Sequence, residues 1–239
     1  MSGKTGSREI ALENAHRLVT FEQYAGLYIE RPLQQQFLAL ASVPVIKAVN
    51  NFYMFAHVPC SVTFFLWAFK FHRNRYYEIR NGFFIAHLLT VAVEVLYPCA
   101  PPRMLYDLGF VDTIHVYSKT HLIDLEQATG INPYAAMPSM HFSYAAAVGF
   151  WGYTLVSHTG LKSLFLGYTT AVFITIVITA NHFVMDCVVA GTLLLIGYLT
   201  VWYFPSNLLP SGQKNSKTWW TILYIILAIG AIMRLAVIK

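Results

Sequence analysis

Residues 161 to 204 form one apolar run of about 44 residues whose only charged side chains are Lys162 and Asp186. As a single helix it would extend about 66 Å, roughly twice the hydrocarbon thickness of a bilayer, so it has to fold back on itself. Near its middle stands no Gly or Pro, only the polar cluster Thr179, Asn181, His182 and Asp186. Asn tolerates left-handed backbone geometry, which predicts a turn at Asn181-His182 and two spans instead of one. Four further stretches approach spanning length: 52 to 71, 83 to 100, 138 to 158 and 218 to 238. Only 11% of the chain is charged and 56% is hydrophobic, against about 25% charged residues in soluble domains. That composition excludes a soluble globule and a disordered chain. The three cysteines, Cys60, Cys99 and Cys187, lie inside apolar stretches and do not describe a disulfide scaffold. The sequence thus predicts an all-α, polytopic membrane bundle of about six transmembrane helices with an N-terminal amphipathic segment.

Three regions follow. Residues 1–50 read as one or two amphipathic helices, with Glu13 four residues before Arg17, lying along the interface or crossing shallowly. Residues 51–204 hold the main bundle, and residues 205–239 a loop and a last span. The connection 101 to 136 is long enough to be a lid or binding element and carries Asp107, Asp112, Asp124 and Glu126. Counting crossings brings Arg103, Ser139, His141, His182 and Asp186 to one membrane face. The opposite face collects Lys70, Arg73, Arg75, Arg80, Lys162, Lys214 and Lys217. By the positive-inside tendency the first face is non-cytoplasmic, unless Lys4, Arg8, Arg17, Arg31 and Lys47 of the N-terminal segment reverse the balance. The net charge of +5 flanks apolar runs instead of forming a stripe, which points to lipid headgroups as partners and away from nucleic acid.

Three segments on that face carry chemistry. In Asn181-His182-Phe183-Val184-Met185-Asp186 the His and Asp share a helix face, so the carboxylate can hold one imidazole nitrogen and leave the other to attack or bind. A lone histidine at a helix end is usually structural, but a carboxylate within a span is costly and usually functional. In Met137-Pro138-Ser139-Met140-His141, Pro fits the first helical position, and the following amides with the Ser139 hydroxyl form a phosphate cradle. His141 sits one turn inside. In Tyr97-Pro98-Cys99-Ala100-Pro101-Pro102-Arg103, clustered prolines end a helix and present Arg103, whose guanidinium can hold phosphate oxygens bidentately.

Together these segments make residues 52 to 204 resemble the type-2 phosphatidic acid phosphatase superfamily, most closely its inositol phosphotransferase branch, typified by inositol phosphorylceramide synthases. Pro138-Ser139-Met140-His141 and His182 with Asp186 match its motifs, and Gly191 falls where the last motif closes. Leu96 stands in place of a basic residue, Arg103 follows Pro-Pro instead of preceding Pro, Thr175-Ile176 replace Ser-Arg, and Asn181 replaces a further His of that branch. The resemblance implies a double displacement without metal or cofactor on a lipid phosphate. His182 would be the nucleophile, Asp186 its orienting carboxylate and His141 the acid and base, with Arg103 and Ser139 holding the phosphate oxygens.

Other intramembrane polar residues carry less. Glu94, placed mid-span, reads equally as functional or packed, His57 as a substrate or supporting contact near the site face, and His87 as structural. Tyr53, Trp202, Tyr203, Trp219 and Trp220 read as an interfacial belt. Two other functions fit the same residues. One is a terpene cyclase that ionises an isoprenoid diphosphate and guides the carbocation with aromatic faces. The other is a non-catalytic binding or scaffold protein.

Overall fold

The computed structural model describes residues 2–120, 122 and 132–203. Nine α-helices are described: α1 (Ser2–Tyr24), α2 (Glu30–Leu40), α3 (Val43–Phe55), α4 (His57–Phe71), α5 (Arg73–Leu96), α6 (Thr113–Ser118), α7 (Met140–Leu155), α8 (Thr159–Ile178) and α9 (Val184–Tyr203). Among the described residues the only β-pairing is an isolated parallel bridge between Cys99 and Ala135. The chain is therefore a helical bundle, and its apolar helices make it a membrane protein.

Three described helices, α5, α8 and α9, are long and apolar enough to cross a bilayer, with mean hydropathy of 1.5, 1.8 and 2.0. A fourth crossing exists if α3 and α4, bent by 48° at their junction, traverse as one. The expected span 52 to 71 is thus two pieces. Pro59 explains the break: it lacks an amide hydrogen, and restarting the helix at His57 puts it in a first turn where that hydrogen is not needed. The expected span 138 to 158 is α7, 16 residues and about 24 Å long, shorter than the hydrocarbon core. The expected span 218 to 238, with Lys214, Lys217, Trp219 and Trp220, lies outside the described residues, as do Asp124 and Glu126. The count of about six is accordingly not reproduced.

The long run reverses where polar residues interrupt it, between α8 and α9, but the left-handed residue is Ala180 (φ 54°), not Asn181. Asn181 is used for its side chain, as shown below. The span expected at 83 to 100 begins earlier, at Arg73, and stops at Leu96 because Pro98 follows. Glu94 therefore sits in the last turn of α5 and not mid-span.

α4, α5, α7, α8 and α9 run alternately up and down, so one end of the bundle collects His57, Leu96, Met140, Ile178 and Val184. The other end closes by approach of small residues. A Cβ on Gly197 of α9 would run into the carbonyl oxygen of Gly82 on α5, and Trp151, Phe64 and Ala86 pack beside this seam. Thr169 on α8 adds a 2.8 Å hydrogen bond to the Ala145 carbonyl on α7.

The N-terminal segment does more than lie along an interface. Ala11, Ala15, Leu18 and Val19 of α1 share a core with Cys99, Ala100, Met137, Ala180 and Phe183, and α3 runs across position 50. The Ala100 amide donates to the Ala11 carbonyl (3.0 Å), and Asn14 Nδ2 to that of Pro98 (2.9 Å). Because α1 packs at the end where His57 and Val184 lie, Arg8 and Arg17 add positive charge to that end. The charge asymmetry behind the non-cytoplasmic assignment is thereby narrowed.

Candidate active site

Backbone hydrogen bonds fasten the three motif segments to one another. Cys99 N–H donates to Tyr134 C=O (2.8 Å) and Ala136 N–H to Cys99 C=O (3.1 Å). Arg103 N–H donates to Ala180 C=O (2.7 Å), and Ser139 N–H to Asp186 C=O (3.1 Å). Irregular backbone inside an apolar bundle must be satisfied by protein, and here each segment satisfies another.

On this frame the rings of His141 and His182 stand with centroids 5.6 Å apart. His182 Nδ1 lies 2.9 Å from the Ala136 carbonyl oxygen and 3.3 Å from Asp186 Oδ2. Both neighbours are acceptors, so the ring hydrogen sits on Nδ1 and the in-plane lone pair on Nε2. Asp186 Oδ2 also accepts the Phe183 amide at 2.8 Å, and the carboxylate is fully buried.

Arg103 occupies a 3-10 turn (Pro102–Met104) and is only 2% exposed. Its Nη1 donates to Asn181 Oδ1, while Nε lies 3.9 Å from Asp112 Oδ2. Asn181 Nδ2 in turn donates to Thr179 Oγ1 (2.8 Å). Arg103 is thus tied directly to Asn181, the residue next to His182, and through it to Thr179. Asp112 also caps α6 by accepting the His115 amide (2.9 Å), so the described stretch of the connection around Asp112 is a structured wall. Gln34 and Asn50 pin that wall through hydrogen bonds to Val111 and Thr113.

Ser139 lies with the others but is not arranged as the sequence suggests. It is the N-cap of α7, its Oγ accepting the Phe142 amide (3.2 Å), and its own amide is spent on Asp186 C=O. Pro138 precedes the cap instead of opening the helix. The cradle of free amides expected after Pro138 is reduced by these bonds, and the buried guanidinium of Arg103 is the principal positive group beside His182.

Two features were missed or undervalued in the sequence. His57 stands against His141 with ring centroids 4.1 Å apart, while Tyr53 stacks on His141 at 4.3 Å. His57 thus touches the candidate acid and base. His87 is more remote, joined to this cluster through Tyr144. Second, Glu22 and Glu30 are fully buried and meet the first turn of α9. Glu30 Oε1 accepts the Val184 amide (2.6 Å) and Glu22 Oε1 the Met185 amide (2.8 Å). The signal that could have found them is the unpaired amides that begin any helix: a helix starting inside an apolar bundle requires acceptors from elsewhere.

Two open apolar grooves lie on the bundle, neither lined by His141 or His182 themselves. One, of about 460 Å³, runs between α4, α5 and α7 past Val58, Phe65, Phe83 and Tyr144. The other, of about 500 Å³, is lined by Phe142 and Val184, the neighbours of His141 and of the His182 turn, with Phe173 and Leu195. Among the described residues no cluster of His, Cys, Asp and Glu has the arrangement of a metal site.

The half-buried His141, the buried His182, the buried carboxylate of Asp186 and the buried guanidinium of Arg103 gather at one end of the apolar bundle. The sequence profile of the PAP2 superfamily matches residues 16–200, and the chain belongs to that superfamily. Its members are typically phosphatases, and the chain is a membrane enzyme of phosphatase type. No curated protein and no solved structure matches the chain.

Proposed function

We propose that this protein is a lipid-phosphate phosphatase or phosphotransferase that works through a phosphohistidine on His182. The observation that carries the reading is the placement of His182 Nδ1 against the Ala136 carbonyl and Asp186, with its ring 5.6 Å from that of His141. Nε2 attacks phosphorus, the bond from phosphorus to the lipid oxygen breaks, and its electron pair leaves on that oxygen, which takes a proton from His141. His141 then removes a proton from water or an alcohol, whose oxygen attacks phosphorus while the P–N electron pair returns to Nε2. Arg103 offsets the charge on the equatorial oxygens, and Asp186 the positive charge that develops on His182. The apolar grooves that pass Tyr144 and Phe142, on the same helix as His141, are compatible with a substrate carrying hydrocarbon chains. An inositol-bearing acceptor is the specific form of transfer that the motif pattern favours.

Purified protein in vesicles, offered a panel of lipid phosphates and isoprenoid diphosphates with and without inositol-bearing acceptors and chelator, tests this. Phosphate release or transfer that survives chelation and drops at least about 10³-fold in His182→Ala and His141→Ala is the expected result. Turnover retained in both variants refutes it. A cyclic hydrocarbon from a farnesyl-type diphosphate would indicate cyclisation instead, and absence of turnover by the intact protein a binding or scaffold role.

A further inference from the structure

The carboxyl groups of Glu22 and Glu30 have no part in the chemistry above, yet they are among the most deeply buried polar groups in the described chain. They arrive from α1 and from the start of α2. Phe183, Val184 and Met185 present three successive amides at the head of α9, and Asp186, Glu30 and Glu22 each accept one of them. The second oxygens of Glu22 and Glu30 are also buried, with no N–H or O–H donor in reach, while the two carboxyls lie within hydrogen-bonding reach of each other. Two ionised carboxylates cannot satisfy that contact. One proton between them supplies the missing donor and removes one of two like charges.

We propose that Glu22 and Glu30 are positioning residues for the His182–Asp186 pair, sharing one proton while they clamp the first turn of α9. The inference rests on the phosphohistidine reading. The clamp acts at one remove: it holds Val184 and Met185, and so the turn from which Asp186 reaches back to His182. The shared proton limits the negative charge that the pair sets beside Asp186, which keeps Asp186 the orienting carboxylate of the site. Burial, and then the charge of Glu30, raises Glu22 to about 9, and burial raises Glu30 as well. The other titratable groups facing the pair are Tyr28 and Arg31 from the turn and α2, Cys99 from the motif strap and Asp186 from α9.

Glu22→Ala and Glu30→Ala remove an acceptor from α9, and kcat should fall by up to about 10²-fold through misplacement while KM moves little. Glu22→Gln keeps an acceptor oxygen and should restore most of that loss. The pH profile separates positioning from mere packing. Wild type should lose kcat as the shared proton leaves near pH 9, and Glu22→Gln, which has no such proton, should lack that limb. An alkaline limb identical in wild type and Glu22→Gln overturns the proposal.

A measurement without turnover keeps the test independent of the phosphatase reading. Infrared spectra of the full chain in vesicles at neutral pH should show the C=O stretch of a buried protonated carboxyl. The band should fade on raising pH through about 9 and be absent from Glu22→Gln/Glu30→Gln. A band unchanged in that double variant refutes the shared proton even if lipid phosphate is turned over. A band that behaves as expected in a protein without turnover upholds the pair and defeats the phosphatase reading alone.

Discussion

The two ends of the bundle are held together by different physics. At the site end, Arg103, Asn181, Asp186, Glu22 and Glu30 are buried, and each sets at least one polar atom against another of them or against a backbone amide at the start of α9. At the far end, α5 and α9 touch through Gly82 and Gly197, with Trp151 and Ala86 against them. Dispersion and close approach hold that seam, where lipid chains offer helices little hydrophobic incentive to associate. The contrast teaches that polar groups are spent where geometry must be specified to fractions of an ångström, and small residues where only proximity is needed. Substitutions at the site end should therefore cost rate, and substitutions at the far end assembly.

Asp186→Asn gives the largest expected effect. It preserves shape but removes the carboxylate that fixes the His182 tautomer, and kcat should fall by about 10³- to 10⁴-fold in a folded protein. Arg103→Lys keeps a charge but loses the planar fork that engages Asn181, and should cost about 10²-fold in kcat/KM. At the far end Gly197→Ala forces α5 and α9 apart, with a loss of about 1–3 kcal/mol of stability read by thermal unfolding in detergent. The turnover of molecules that remain folded should be near wild type. Gly191→Ala is the matched control, since a Cβ there meets only Phe142 at an ordinary 3.7 Å. If Gly197→Ala lowered rate without lowering stability, the division between the two ends would be wrong.

The smallest expected effect lies on the surface of the site end, where His16 Nε2 meets Asp107 Oδ2 at 2.7 Å. The hydrogen bond raises His16 and lowers Asp107. Stability from His16 is full below its unfolded value and is lost as pH rises through its raised folded value. Stability from Asp107 is full above its unfolded value and is lost as pH falls through its lowered folded value. The pair therefore helps most between the two, in the mildly acidic range. At 43% and 60% side-chain exposure it is worth under about 1 kcal/mol. Asp107→Asn should flatten that window in unfolding curves taken across pH.

What was legible in the sequence divides along similar lines. Counting crossings from the 44-residue run was enough to assign His141, His182, Asp186 and Arg103 to one end, because chain direction alternates whatever the packing details. Local chemistry was read less well. Ser139 caps α7 because its hydroxyl lies within reach of the Phe142 amide, a use that its motif does not announce. Asn181 leaves the left-handed turn to Ala180 and spends its side chain on Arg103.

The N-terminal helices were read least well. Glu22, Glu30, Gln34 and Asn50 look like the wet face of an amphipathic segment, yet all are buried. Their partners stand 63 to 163 residues away, beyond the reach of any local periodicity. The sequence also predicted a continuous helix through Ala56, where a single proline three residues on resets the chain.

Trapping the enzyme during turnover tests the central claim most directly. Purified protein mixed with lipid phosphate carrying labelled phosphorus, quenched in base and digested, should yield an acid-labile, base-stable label on the peptide containing His182. Wild type should show it, and His182→Ala should show neither label nor product. Product formed by His182→Ala at the wild-type rate, or label recovered on another residue, would contradict the account.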